Sequence, residues 1–259
     1  MFRPLLLIAI WSPLLRAQTP DVQTIIDKAN QASYYAGQDG RADVAMVITD
    51  GNGGTREREF TILRMNTGDG DQKFYVYFKA PADVSKTAFL VWKNAAADKD
   101  DDRWLWLPAL NLSRRIAPGD KRTSFVGSDF FYEDVSGRRV DADSHQLEEE
   151  TDRFYIIKST PKPGDKVEFA SYRLWIDKQN FLPLKTEYMD RNGEVFRRIE
   201  GLAVETFQDI PTVTHSVAQD LRSGSKTELR FSNIQYNQDL KENIFSERFL
   251  RRPPREVTR

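Results

Sequence analysis

The first clear pattern along the chain is helical. Between residues 21 and 37, Val22, Ile25, Ile26, Ala29 and Ala32 recur every three or four positions, with Pro20-Asp21 as a start signal and Gly37 as a stop, which predicts one amphipathic helix. From Asp43 onward the period shortens to two. β-Branched and aromatic residues fill 43–49 and 55–65 around the turn Asp50-Gly51-Asn52-Gly53-Gly54, and this predicts a hairpin. Similar runs follow at 73–79, 87–93, 103–107, 113–117, 153–159, 169–177, 183–190, 194–207, 212–219 and 225–236. Turn residues such as Gly68-Asp69-Gly70 and Asp190-Arg191-Asn192-Gly193 separate them. Strands joined by short turns, with no helices between them, make an antiparallel meander, and a meander of this length must curl into a barrel or half-barrel to bury one face.

Several strands are apolar on both sides. In 73–79, Phe74, Val76 and Phe78 alternate with Tyr75 and Tyr77; in 103–107, Trp104 and Trp106 alternate with Leu105 and Leu107. Each such residue alone reads as core. As a group they offer more apolar surface than a single helix can cover, which points to a ligand cavity. Downstream, Arg114 and Arg115 are followed by a Gly127-Ser128-Asp129 loop and the run Phe130, Phe131, Tyr132. Aromatic mass beside paired arginines suits an apolar chain with an anionic head. Arg114 and Arg115 alternate in side, so at most one points inward, where it needs Glu133, Asp134 or a lipid phosphate as partner. Ser128 or Asp129 can cap a short helix that has Glu133 and Asp134 near its positive end, and Phe130, Phe131 and Tyr132 can instead act as a gate.

Composition narrows the class of function. The 259 residues carry 38 basic and 39 acidic side chains, which leaves no broad positive field for nucleic acid. Residues 1–17 have an early cation at Arg3, an apolar stretch from Leu5 to Leu15 and a cleavage point after Ala17, the anatomy of a secretory signal peptide. Pro13 within the run and Leu15 three places before the cut leave a non-cleaved anchor as the alternative. Cleavage would remove Arg3 and Arg16 and leave a net charge of -3 on a single domain spanning 18–259. There is no cysteine, hence no disulfide, no thiolate and no lipidated cysteine at a new N-terminus. The expected product is a periplasmic protein without a lipid anchor.

The stretch Trp104-Leu105-Trp106-Leu107-Pro108-Ala109-Leu110, then Arg114-Arg115-Ile116, Phe125-Val126-Gly127-Ser128-Asp129-Phe130 and Tyr132-Glu133-Asp134 resembles the signature of bacterial outer-membrane lipoprotein-sorting proteins of the LolA-like class. The N-terminal helix, the strand Arg56-Glu57-Arg58-Glu59, the segment Lys79-Ala80-Pro81-Ala82-Asp83 and the closing Phe245-Ser246-Glu247-Arg248-Phe249-Leu250 extend the resemblance over most of the chain after the leader. It implies a mainly β fold, an incomplete antiparallel β-barrel whose concave face is covered by helices and receives lipid or acyl chains. Trp92, Trp104, Trp106, Phe125, Phe130, Phe131 and Tyr132 are then the candidate lipid contacts, with Arg114 and Arg115 beside them.

Enzymatic readings find little support. His145 and His215 are the only histidines, neither in a metal-ligand spacing, and no Gly-x-Ser-x-Gly elbow exists. Asp98, Asp100 and Asp102 imitate the start of a calcium loop, but Arg103 replaces the required glycine and Ala109 the bidentate glutamate. The reading is therefore a non-enzymatic, monomeric carrier of lipid or lipoprotein acyl chains, without cofactor or metal, served by an inner-membrane exporter and an outer-membrane acceptor. The alternatives are an esterase with Ser128 as nucleophile, and an adaptor that binds a membrane exporter through exposed strand edges and holds no ligand.

Overall fold

The computed structural model describes residues 19–258, so the leader expected at 1–17 lies outside the described residues. Two meanders meet at the centre of one antiparallel sheet. The first is β1 (Asp39–Thr49), β2 (Thr55–Asn66), β3 (Gln72–Ala80), β4 (Ala88–Lys93), β5 (Asp102–Leu107) and β6 (Leu112–Ile116). The second is β7 (Asp143–Glu150), β8 (Phe154–Pro161), β9 (Ser171–Asp177), β10 (Pro183–Met189), β11 (Val195–Phe207), β12 (Ile210–Asp220) and β13 (Lys226–Tyr236). Among the described residues the order β6-β5-β4-β3-β2-β1-β13-β12-β11-β10-β9-β8-β7 makes 13 strands with β6 and β7 as free edges, so the barrel is not closed. Local chemistry sets the turns: Asp50 accepts hydrogen bonds from the Asn52 and Gly54 amides on its side chain, and Gly53 takes φ +86°, which fixes the β1–β2 register Thr49↔Thr55.

Of the twelve strands read from the sequence all are present, with ends moved by a few residues. β7 carries no strand signal in the sequence, because its only large apolar residue is Leu147, amid charged neighbours.

The sheet curls. Phe74 of β3 and Pro183 of β10 border the same cavity, although six strand spacings separate their strands, roughly 29 Å in a flat sheet. The inner face carries Val44, Met46, Phe60, Phe74, Val76, Phe78, Phe89, Val91 and Leu105. The outer face of β2 to β5 carries Leu63, Tyr75, Leu90, Trp104 and Trp106, covered by the C-terminal segment with Leu240, Ile244, Phe245, Leu250 and Val257. Apolar strands on both faces thus have a buried cause on each. Polar anchors fix that segment: Tyr75 donates to the Phe249 carbonyl (2.7 Å), Trp92 Nε1 to the Phe245 carbonyl (2.8 Å), and the buried Asp39 carboxylate accepts the Gln238 and Leu240 amides.

The cover of the hollow is helical only in part. Helix α1 (Val22–Tyr34), capped by Asp21 accepting from the Thr24 amide, packs Ile25, Ile26 and Ala29 on Tyr155, Ile157 and Ile176 at the β7–β9 end. The rest is covered by the connection from β6 to β7, residues 117–142, mostly irregular apart from the short helix α2 (Tyr132–Ser136). The helices α3 (Arg248–Arg251) and α4 (Arg255–Thr258) belong to the C-terminal segment on the outer face. The reason is connectivity: the chain must pass from one free edge to the other, and the shortest route crosses the inside.

Candidate functional site

A cavity of about 350 Å³ lies between the inner face of the sheet, the C-terminal turn of α1 and the 117–142 connection. Its walls are largely apolar: Ala42, Met46, Phe60, Ile62, Phe74 and Val76 from the first meander, Ile199, Val213, Leu229, Phe231 and Ile234 from the second, and Phe125, Phe130 and Val135 from the connection. Gly201 and Ser216 face each other across β11 and β12 on this wall, and such small residues leave volume that larger ones would fill. The polar groups on the wall are few, among them Tyr34, Arg41, Arg64 and Asp134.

Phe125 plugs one side of the hollow. Its ring lies 5.4 to 6.4 Å from those of Phe60, Phe78, Phe89 and Tyr132, in tilted or edge-on contacts. The turn around it is closed by Ser128, whose buried hydroxyl donates to the carbonyls of Phe125 (2.7 Å) and Phe130 (3.2 Å). Asp129 reaches the sheet, accepting from Thr227 (2.7 Å) and from Ser225, while its amide donates to Thr227 Oγ1. Asp134 caps α2 by accepting from the Phe131 amide (2.7 Å) and also accepts from Arg197 of β11.

A layer of arginines and aromatic rings lies next to the cavity. Arg122 sits 4.9 to 5.0 Å from the rings of Phe131, Phe169 and Tyr188, Arg138 sits 5.2 Å from Phe169, and Arg197 sits 4.0 Å from Phe131. Burial alone would weaken the charged form of Arg122, but Tyr188, Glu168, Asp134 and Glu133 outweigh it and hold the guanidinium ionised. Arg138 is likewise held charged against burial, chiefly by Asp143, Glu133 and Asp165. Nearby, burial pushes the Tyr188 phenol upward. Tyr34 is raised by burial first and then by Asp134, Tyr188 and Glu133, so this phenol on the cavity wall stays neutral.

A DUF1329 family protein from Desulfovibrio piger is 30% identical over 90% of this chain and 100% of its own, with a TM-score of 0.81. A domain named for outer-membrane lipoprotein sorting, from Vibrio parahaemolyticus, is 26% identical over 89% of this chain and 98% of its own, with a TM-score of 0.79. The chain belongs to the LolA-like DUF1329 family. A family model described only as an uncharacterized protein matches residues 70–252, and no curated protein matches the chain. The fold is shared more widely: a LolA superfamily protein from Nitrosomonas europaea is 18% identical over 89% of this chain and 100% of its own, with a TM-score of 0.68.

In this LolA-like DUF1329 chain the residues singled out from the sequence separate into five places. Phe125 and Phe130 border the cavity. Tyr132 packs on Phe89 and Phe125 within the inner core, and Phe131 lies between Arg122 and Arg197, so the three consecutive aromatics face different surroundings. Trp92, Trp104 and Trp106 lie on the other face of the sheet, beneath the C-terminal segment, and do not border the cavity. Arg114 and Arg115 are 60% and 66% exposed on the edge strand β6, paired with Asp120 and Asp102. Arg122, Arg138 and Arg197 are buried next to the cavity and pair with Glu133 and Asp134, while Arg41 and Arg64 stand on the cavity wall itself. Nothing local in the sequence marks Arg197, since its partner Asp134 stands 63 positions earlier in the chain.

Ser128 is not set up as a nucleophile: its hydroxyl is committed to two carbonyls. The histidines have other partners, His145 with Ser159 (2.8 Å) and the Val140 carbonyl (2.9 Å), His215 with Glu228 (3.3 Å). Among the described residues no group of three or more His, Asp or Glu could hold a metal ion.

Proposed function

We propose that this protein is a periplasmic carrier that shelters the acyl chain of a lipid or lipoprotein in the apolar cavity, for transport toward the outer membrane. The observation that carries this reading is the cavity itself. At about 350 Å³ it falls within the range of ligand pockets, and its walls are apolar side chains from both meanders. An alkyl chain leaving water for such a wall gains roughly 0.8 kcal/mol for each methylene buried. That gain is non-directional, so one cavity can take chains of differing length and unsaturation. Chains held this way leave only when a competing apolar site is offered, and the reading therefore includes an exporter that loads the carrier and an acceptor that unloads it. The Vibrio parahaemolyticus relative, named for outer-membrane lipoprotein sorting, supports the same direction of travel.

The test uses the protein exported to a bacterial periplasm and purified without detergent. Mass spectrometry of an organic extract should recover acyl lipid, and cis-parinaric acid should bind with saturable fluorescence. Ser216→Trp places an indole on the cavity wall opposite Gly201 and should abolish binding while the protein stays folded. Protein recovered empty, with no uptake of the probe, would refute the proposal.

A further inference from the structure

The cavity has a side window. β12 pairs with β13 only from Gln219↔Lys226 to His215↔Arg230; below that point β13 continues along β1 to Tyr236↔Gly40, whereas β12 continues along β11 to Ile210↔Phe207. Two strands adjacent at one end have parted at the other. The parted stretch spans residues 211–214 on one side and 231–235 on the other, roughly 13–17 Å along the strands.

The sequence explains the parting. Pro211 has no N–H to offer a neighbour, so it suits a strand that faces an opening. On β13, Asn233 takes φ +49° and the register against β1 shifts between Arg41 and Asp43, a bulge that keeps Ile234 on the cavity wall.

We infer that acyl chains enter and leave sideways, through this slit between β12 and β13. The inference rests on the carrier reading and adds where the cargo passes. Both rims are part of the cavity wall, with Val213 on one and Phe231 and Ile234 on the other. Beyond β12 the apolar surface continues outward: Val204, directly across from Val213, is 37% exposed, and Leu202 is 54% exposed. Such exposed apolar side chains beside the slit offer a surface on which an acyl chain can first settle.

The slit is closed by a light clasp. Gln208, in the β11–β12 turn, donates to the Tyr236 carbonyl (3.1 Å) and accepts from the Tyr236 amide (2.7 Å), and the Tyr236 hydroxyl meets Thr212 Oγ1 (2.8 Å). The Tyr236 ring lies against Gly40, where an added Cβ would come within 3.3 Å of it. The 117–142 connection, the other cover of the cavity, is pinned by the buried Arg122, Arg138 and Arg197 pairs and by Asp129. Three hydrogen bonds at a half-exposed rim open more readily than a buried ion-pair layer.

The native chain lacks cysteine, so a thiol staple can be placed cleanly. Thr212→Cys with Tyr236→Cys, bridged by a disulfide-containing bismaleimide, should slow both uptake and release of cis-parinaric acid roughly tenfold or more, with the rates restored by reductant. Gln208→Ala, on an exposed turn, should speed release by roughly three- to tenfold. A stapled protein that exchanges probe as fast as its unstapled form overturns the slit and leaves the carrier reading standing. If neither the native protein nor the unstapled variant binds probe, the carrier reading falls and the slit with it.

Discussion

Lys93 makes the stability of this protein depend on pH in a way that can be worked from its surroundings. The side chain is buried at the inner end of β4, donates to the Ser136 carbonyl at the end of α2 (2.7 Å) and lies 5.2 Å from the Tyr34 ring. Burial lowers its pKa from the ordinary 10.5 to about 8, against the attraction of Asp101 and Glu133. Between those two values the unfolded chain holds a proton that the folded chain has released, so folding becomes more favourable as pH rises. Each pH unit is worth at most about 1.4 kcal/mol, and from pH 8 to pH 10 the gain is about 2–3 kcal/mol. Above pH 10 the tyrosines whose phenols are raised by burial, Tyr75 and Tyr172 among them, oppose the trend. Lys93→Met keeps the length of the side chain and removes the titration. Urea unfolding of both proteins between pH 7 and pH 10 should show the native protein gaining that amount relative to the variant. Parallel curves over the window would refute the account of Lys93 as a buried, desolvated ammonium.

Three further outcomes are expected. Trp104→Ala should lower stability by about 3–5 kcal/mol in urea unfolding and expose the C-terminal segment to protease, yet leave probe binding intact, because the ring packs on the outer face. Arg197→Met should cost about 3–5 kcal/mol by stranding Asp134, and adding Asp134→Asn should recover part of the loss in the same assay. Gly137→Ala should lower the melting temperature, since φ is +79° and the new methyl would sit 2.6 Å from the Tyr34 ring; backbone strain alone is roughly 1–3 kcal/mol.

Alternation showed that β3 and β5 are apolar on both faces, and the hairpin turns fixed their neighbours. What alternation cannot say is which face looks inward. Trp104 and Leu105 carry equivalent local signals, and the choice between them is made by residues 237–258, which reach the outer face from the far end of the sequence. The arginine layer was hidden for a related reason: Arg122 and Arg197 are 75 positions apart in the chain, yet both sit against Phe131. Arg114 and Arg115 drew attention as a pair, but β6 is an edge strand, and an edge gives long cations water on one side. The cavity rims on β12 and β13 were legible as strands, whereas their parting needed the registers of four strands at once.

β1 is an interior strand of the sheet, and one of its two neighbours is β13, the last strand among the described residues, with Gly40 opposite Tyr236. Contacts of such wide separation close late in folding, because a long loop must first be ordered. A nascent chain lacking residues 226–236 therefore leaves both β1 and β12 with an open flank, so the two halves of the sheet can join only after that strand has been synthesised.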